Sequence, residues 1–174
     1  MSVGKIKHVG HTYVLSSGTD TIDLRKPSET KKELEAILDL NNLVLLLRRS
    51  ERDTANPDVF EESVAKCFRF LGYEAKHLGG SGKADVLLVA TLGSGAYRVA
   101  IEAKTSTTGI VDDARINWFT LEDHRRQNDA KYSAVVGPGF ESSRVQERAT
   151  KTGTTLLSTK TMEGSDETAR CKPI

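Results

Sequence analysis

Residues 73–105 read YEAKHLGGSGKADVLLVATLGSGAYRVAIEAKT, and the fold turns on how this stretch divides. The glycines of the GGSG bend at 79–82 break any regular element, because glycine reaches backbone angles that other residues avoid. A strand precedes the bend. Asp85 follows it and opens the apolar run 86–90, the pattern of a strand buried on both faces. Leu92, Gly93, Ser94 and Gly95 have the composition of a hairpin turn. Residues 97–104 then alternate: Val99, Ile101 and Ala103 point one way, and Arg98, Ala100, Glu102 and Lys104 the other. If the hairpin pairs in that register, the start of its first strand lies beside the end of its second. Asp85 and Glu102 then converge, with Lys104 next to them.

Two carboxylates and a lysine at the ends of paired strands suit one kind of chemistry. Hard oxygen ligands hold Mg²⁺, which keeps several waters and accepts phosphate oxygens, and Mn²⁺ can take its place. Such a cation lowers the pKa of a bound water and neutralises charge on a phosphate. A lysine beside it orients the attacking water or stabilises the transition state. Residues 86–101 separate Asp85 from Glu102, and Lys104 follows two positions later. This spacing by itself is common: Glu and Lys two apart on a strand also occur as a solvated pair.

The surrounding residues add to it. The string 76–85, KHLGGSGKAD, resembles the KHLGGSxKPD of the FokI-type cleavage domain of type IIS restriction endonucleases, within the PD-(D/E)xK nuclease superfamily. Residues 99–104, VAIEAK, resemble that family's apolar strand ending in DTK, and residues 135–140, VVGPGF, its VSGxF. The resemblance covers about residues 60–158. The chain departs from it at Ala84, where the family has proline, and at Glu102, where it has aspartate. Glutamate brings the same donor oxygens on a longer arm.

The resemblance implies metal-dependent hydrolysis of double-stranded DNA leaving 5′-phosphates, with little sequence preference. Asp85, Glu102 and the backbone carbonyl of Ala103 would hold the metal, and Lys104 would act on water. Many members of the superfamily also carry an acid on a preceding helix; Glu61 is the candidate here and Glu62 the alternative. Acidity at a helix N-terminus is equally expected from the helix dipole. A helix after the third strand mediates dimerisation in the resembling family. Here that helix spans about residues 112–128 with Trp118 as anchor or core residue, and Glu122 and Asp123 can face Arg125 and Arg126 of a second copy. A transient homodimer on DNA is the expectation.

Composition bounds the rest. A chain of 174 residues with 37% hydrophobic and 28% charged residues suits one globular domain. A net charge of +1 is low for a protein that holds DNA unaided, and fits a module delivered by a recognition domain or subunit. Cys67 and Cys171 are too few for a disulfide framework or zinc site. No segment is long and apolar enough to span a membrane, which points to the cytoplasm.

In chain order, residues 1–26 form an N-terminal segment, a small hairpin around Ser16-Ser17-Gly18 or a linker. His8 and His11 there read as polar surface. Thr30 with Glu33 fits a capping box, so a helix starts near Lys31 and breaks or bends at Asn41-Asn42. Residues 50–56 form a loop. Residues 57–71 are the clearest helix, capped by Asn56 or Asp58, with Pro57 in its first turn, the apolar stripe Phe60, Val64, Cys67, Phe68, Leu71, and Gly72 after it. Residues 105–109 form a polar loop placed to lie beside a DNA backbone. Residues 132–136 and 154–158 are strands with a helix over 142–150 between them, and residues 164–174 read as a disordered tail. The nuclease domain is thus 27–163, with the α/β architecture of restriction endonucleases: a mixed central β-sheet flanked by α-helices. Three other readings stay open: an Mrr-like nuclease or junction resolvase of the same superfamily, a non-catalytic DNA-binding module on this fold, and an interaction domain using the Trp118 helix.

Overall fold

The computed structural model describes residues 6–9, 12–15, 21–23, 27–80, 82–92, 95–140 and 143–162; the side chains of residues 6–9, 12–15, 21–23, 27–30, 33 and 92 are outside the description. The expected turns at Ser16-Ser17-Gly18 and Gly93-Ser94, and the tail at 164–174, fall outside the described residues. The chain divides into two compact units, 1–41 and 42–174.

The first unit holds an antiparallel sheet of β1 (Ile6–Val9), β2 (Thr12–Leu15) and β3 (Thr21–Asp23), with Thr12 opposite Asp23. Helix α1 runs from Pro27 to Ser50 without a break at Asn41-Asn42. An internal asparagine costs only about 0.7 kcal/mol of helix propensity, and the flanking Leu, Lys and Glu outweigh it. The capping box at Thr30 and Glu33 concerns side chains outside the description.

The second unit is built on five strands in the order β4 (Glu74–His77), β5 (Val86–Leu92), β6 (Gly95–Ala103), β7 (Tyr132–Gly137), β8 (Thr154–Ser158). The first three pair antiparallel and the last two join in parallel, so the sheet is mixed. Val86 faces Ile101 and Leu92 faces Gly95, the hairpin register that the alternation of β6 requires. Glycines 79, 80 and 82 all have positive φ, which explains the bend before Asp85.

Helix α2 (Pro57–Phe70) lies on one face of this sheet. Its Phe60, Val64, Ala65, Cys67 and Phe68 join Val86, Leu88, Ile101, Ala103, Ala134 and Val136 in the larger core. Leu71, expected in the stripe, is exposed. The N-cap is Asn56, but its side chain makes no cap bond and instead donates to Asp53. Helix α3 (Trp118–Gln127) and helix α4 (Arg144–Thr152) cover the other face, where Leu121, Val135 and Val145 pack with Val111 and Ile116. A single turn, α5 (Thr159–Met162), closes the described chain.

Two expectations are corrected here and a third gains detail. Strand β5 is buried on one face only: Val86, Leu88 and Ala90 are in the core, while Leu87 and Val89 are half-exposed. The helix expected over 112–128 is two elements, a 3₁₀ turn at Asp113–Arg115 and then α3, because Ile116 and Asn117 are extended and the Asn117 side chain caps Thr120. Residues 105–109 do form a loop, anchored at its start. Thr105 and Ser106 are buried, the Ser106 N–H donates to the Glu51 carbonyl, and Arg52 donates to the Thr107 carbonyl. Among the described residues no helix is long and apolar enough to cross a membrane.

Candidate active site

The hairpin register decides where the charges meet. The Asp85 backbone N–H donates to the Ile101 carbonyl at 3.1 Å, which sets the residue beside the end of β6. Its carboxylate turns onto the same strand: the Ala103 N–H donates to Asp85 Oδ2 at 2.7 Å. Glu102 lies between those two anchor points. Pleating sends its side chain away from the α2 core, along with that of Lys104. Lys104 Nζ donates to Glu102 Oε1 at 2.6 Å.

These carboxylates crowd one another. Burial, foremost, and then the charge of Glu102 push the Asp85 carboxyl up from 3.8 to about 7. Glu61 adds to the push; the Ala103 N–H and Lys104 oppose it. Two acids held close and partly dehydrated are a candidate cation site, because a divalent ion relieves their repulsion.

Glu61 is brought to the same cluster. It is buried on α2, one position after Phe60, and His77 Nε2 stands 2.8 Å from its Oε2. Glu62 faces outward and pairs with Arg69 Nη2 at 2.7 Å, with His77 Nδ1 at 3.5 Å. Of the two alternatives, Glu61 is therefore the acid directed at Asp85.

The donor set fits a hard cation. Asp85, Glu102 and the Ala103 carbonyl offer oxygen only, and Glu102 Oε2 is buried with no hydrogen-bond partner among the described residues. No group of three or more His, Cys, Asp or Glu side chains among the described residues is arranged as a metal cage. Two carboxylates completed by water and substrate are what Mg²⁺ uses. A groove of about 750 Å³ lies elsewhere, between Arg69, Tyr73, Lys76, Arg98 and Asn128, and is lined by none of these acids.

Two residues given no role by sequence reasoning sit here. His77 backs Glu61. His124, flanked in sequence by Asp123 and Arg125, is 4% exposed, with Nδ1 3.4 Å from Glu102 Oε2. The sequence did carry a signal: His124 follows Leu121 by one helical turn, so both share the buried face of α3. Trp118 is half-buried, packs against the second core and donates from Nε1 to Asp113 Oδ1 at 3.0 Å. The exposed aromatic on α3 is Phe119, at 86%. Three of the four charges expected to meet a second copy are engaged within the helix, where Glu122 holds Arg125 at 2.7 Å and Arg126 at 3.1 Å.

Comparison with known proteins bears on this arrangement. The family model Mrr_cat, restriction endonuclease, matches residues 52–163, which include every residue of the cluster. No curated protein matches the chain. Among solved structures, restriction endonuclease FokI bound to DNA is similar at 17% identity and a TM-score of 0.51, over 92% of this chain and 35% of that one. A second FokI structure is similar at 16% identity and a TM-score of 0.51, over 92% and 34%. The MspJI restriction endonuclease in complex with a 27-mer oligonucleotide aligns at 11% identity and a TM-score of 0.37, over 75% and 30%. The chain thus spans about a third of the length of the FokI chains, and the likeness shows a restriction-endonuclease-like fold.

Proposed function

This chain belongs to the restriction endonuclease family of the Mrr_cat model, and from that premise we propose that it is a Mg²⁺-dependent endonuclease hydrolysing double-stranded DNA. The observation that carries the reading is the convergence of Asp85 and Glu102 with Lys104 on Glu102, at the ends of a paired hairpin. Asp85, Glu102 and the Ala103 carbonyl would hold the cation, with Glu61 close behind them. Bound there, a divalent cation supplies an activated water and offsets charge on the phosphate.

The protein's own residues do the rest. Lys104 stands over the cluster with its ammonium on Glu102, positioned to hold the attacking water or a phosphate oxygen. Water oxygen bonds to phosphorus, the bond from phosphorus to the 3′ oxygen breaks, and the products are a 5′-phosphate and a 3′-hydroxyl. Glu102 holds the Lys104 side chain directed at the cluster.

Each site cuts one strand, so a double-strand break takes two copies related by a two-fold axis, matching the antiparallel duplex. A transient homodimer on DNA, a recognition function carried by another domain or subunit, and action in the cytoplasm belong to the same reading.

The test uses three substrates: supercoiled plasmid, a linear duplex and a four-way junction, each with Mg²⁺, with Mn²⁺ and with chelator. The expected result is nicking and linearisation of plasmid only with metal. Symmetric nicks confined to the junction would replace this reading with the resolvase, and DNA binding without metal-dependent cleavage would replace it with a non-catalytic module.

A further inference from the structure

Glutamate at 102 has one more rotatable bond than aspartate, so its carboxylate is harder to hold in a single place. One end is fixed, since Oε1 accepts from Lys104 Nζ at 2.6 Å. The other end, Oε2, is buried with no hydrogen-bond partner among the described residues, and His124 Nδ1 stands 3.4 Å from it. Neither nitrogen of that ring has a hydrogen-bond partner among the described residues. Three unpaired buried atoms in one spot destabilise a fold unless they serve one another. Hydrogen bonds of active sites are also commonly long in the empty state and tighten when the site is filled.

Two features fix the ring where it is. Leu121, one turn earlier, anchors the same face of α3 in the second core. The Asn128 side chain donates to the His124 carbonyl at 2.8 Å and ties down the end of the helix. At 4% exposure the imidazole is almost wholly withdrawn from solvent, and Glu102 is the acid it stands against.

We propose that His124 is a positioning residue, whose Nδ1–H donates to Glu102 Oε2 and fixes the carboxylate for the cation. This rests on the metal-site reading above. Groups that orient a metal-binding carboxylate from behind alter affinity by about 10–100-fold when removed.

The experiment titrates Mn²⁺ alone into metal-free protein by calorimetry, for wild type, His124→Leu, His124→Asn and His124→Gln, with thermal melts to verify folding. Plasmid cleavage gives kcat and KM for the same proteins. His124→Leu should weaken Mn²⁺ binding by about 10–100-fold and lower kcat with KM for DNA unchanged. His124→Asn places an amide N–H near the position of Nδ1 and should restore most of both; His124→Gln carries its amide one bond further and should not. If His124→Leu fails to fold, the Asn and Gln variants decide, and equal Mn²⁺ affinity in those two would overturn the proposal. Wild-type affinity in a folded His124→Leu would overturn it as well. A wild-type protein that takes up no Mn²⁺ overturns the metal-site reading, and this proposal with it.

Discussion

At pH 7 the Asp85 carboxyl is held between its two forms, pushed up to about 7 by burial and by the charges of Glu102 and Glu61. Its ordinary value is 3.8. Below that the group is protonated in folded and unfolded chains alike. Between about 4 and 7 the folded protein keeps a proton that the unfolded chain has lost, so stability falls as pH rises, and above 7 the loss is complete. By linkage the loss is at most roughly 4 kcal/mol. Metal-free melts from pH 5 to 8.5 should therefore show wild type losing stability relative to Asp85→Asn, and Mg²⁺ should restore it at the high end. Parallel curves for the two proteins would contradict the crowding of these acids. Lys104 has a separable part. Lys104→Ala should lose most cleavage while still taking up Mn²⁺, because its ammonium donates to Glu102 and, on the proposed reading, acts on water or phosphate and not on the cation. Arginine should rescue poorly, since a planar fork does not replace a compact ammonium. Loss of Mn²⁺ binding in Lys104→Ala would assign the lysine to holding the site together.

Two elements place this chemistry: the β5–β6 hairpin and helix α2. Both were legible in the sequence, because each is specified locally. A glycine bend and strict alternation set the hairpin register, and Pro57, the stripe Phe60, Val64, Phe68 and the terminal Gly72 set the helix. Phe60 is fully buried directly before Glu61, so Phe60→Ala should cost about 3–5 kcal/mol and visibly lower the melting temperature. A drop under about 1 kcal/mol would mean α2 is not docked as described. What stayed hidden depends on contacts between distant residues. His124 reads as one charge among Glu122, Asp123, Arg125 and Arg126 until α3 is laid on the sheet and its Leu121 face meets Glu102. The burial of Thr105 and Ser106 follows from a partner fifty-five residues earlier, the Glu51 carbonyl, which no local pattern announces. The continuity of α1 through Asn41-Asn42 shows the opposite error, a local signal too weak to override its neighbours.

At the scale of the molecule, a net charge of +1 gives little attraction for a polyanion, so on the proposed reading one copy would be poorly held through two successive cuts. On the same reading, Phe119, 86% exposed on α3, is an apolar group available to a second copy, now that Glu122, Arg125 and Arg126 are seen to satisfy each other. Linear product should rise faster than the first power of protein concentration, and Phe119→Asp should suppress linearisation more than nicking; first-power scaling would make the domain a monomeric cutter. On the proposed reading, Asp85 and Glu102 make this family fold a metal-dependent DNA hydrolase. The most direct measurement is the rate of supercoiled plasmid loss with Mg²⁺, for wild type beside folded Asp85→Ala and Glu102→Ala proteins. Wild type should cleave, chelator should abolish that cleavage, and either variant should lose at least about 100-fold, the scale of removing a metal's chemistry. Undiminished Mg²⁺-dependent cleavage by either variant would contradict that reading.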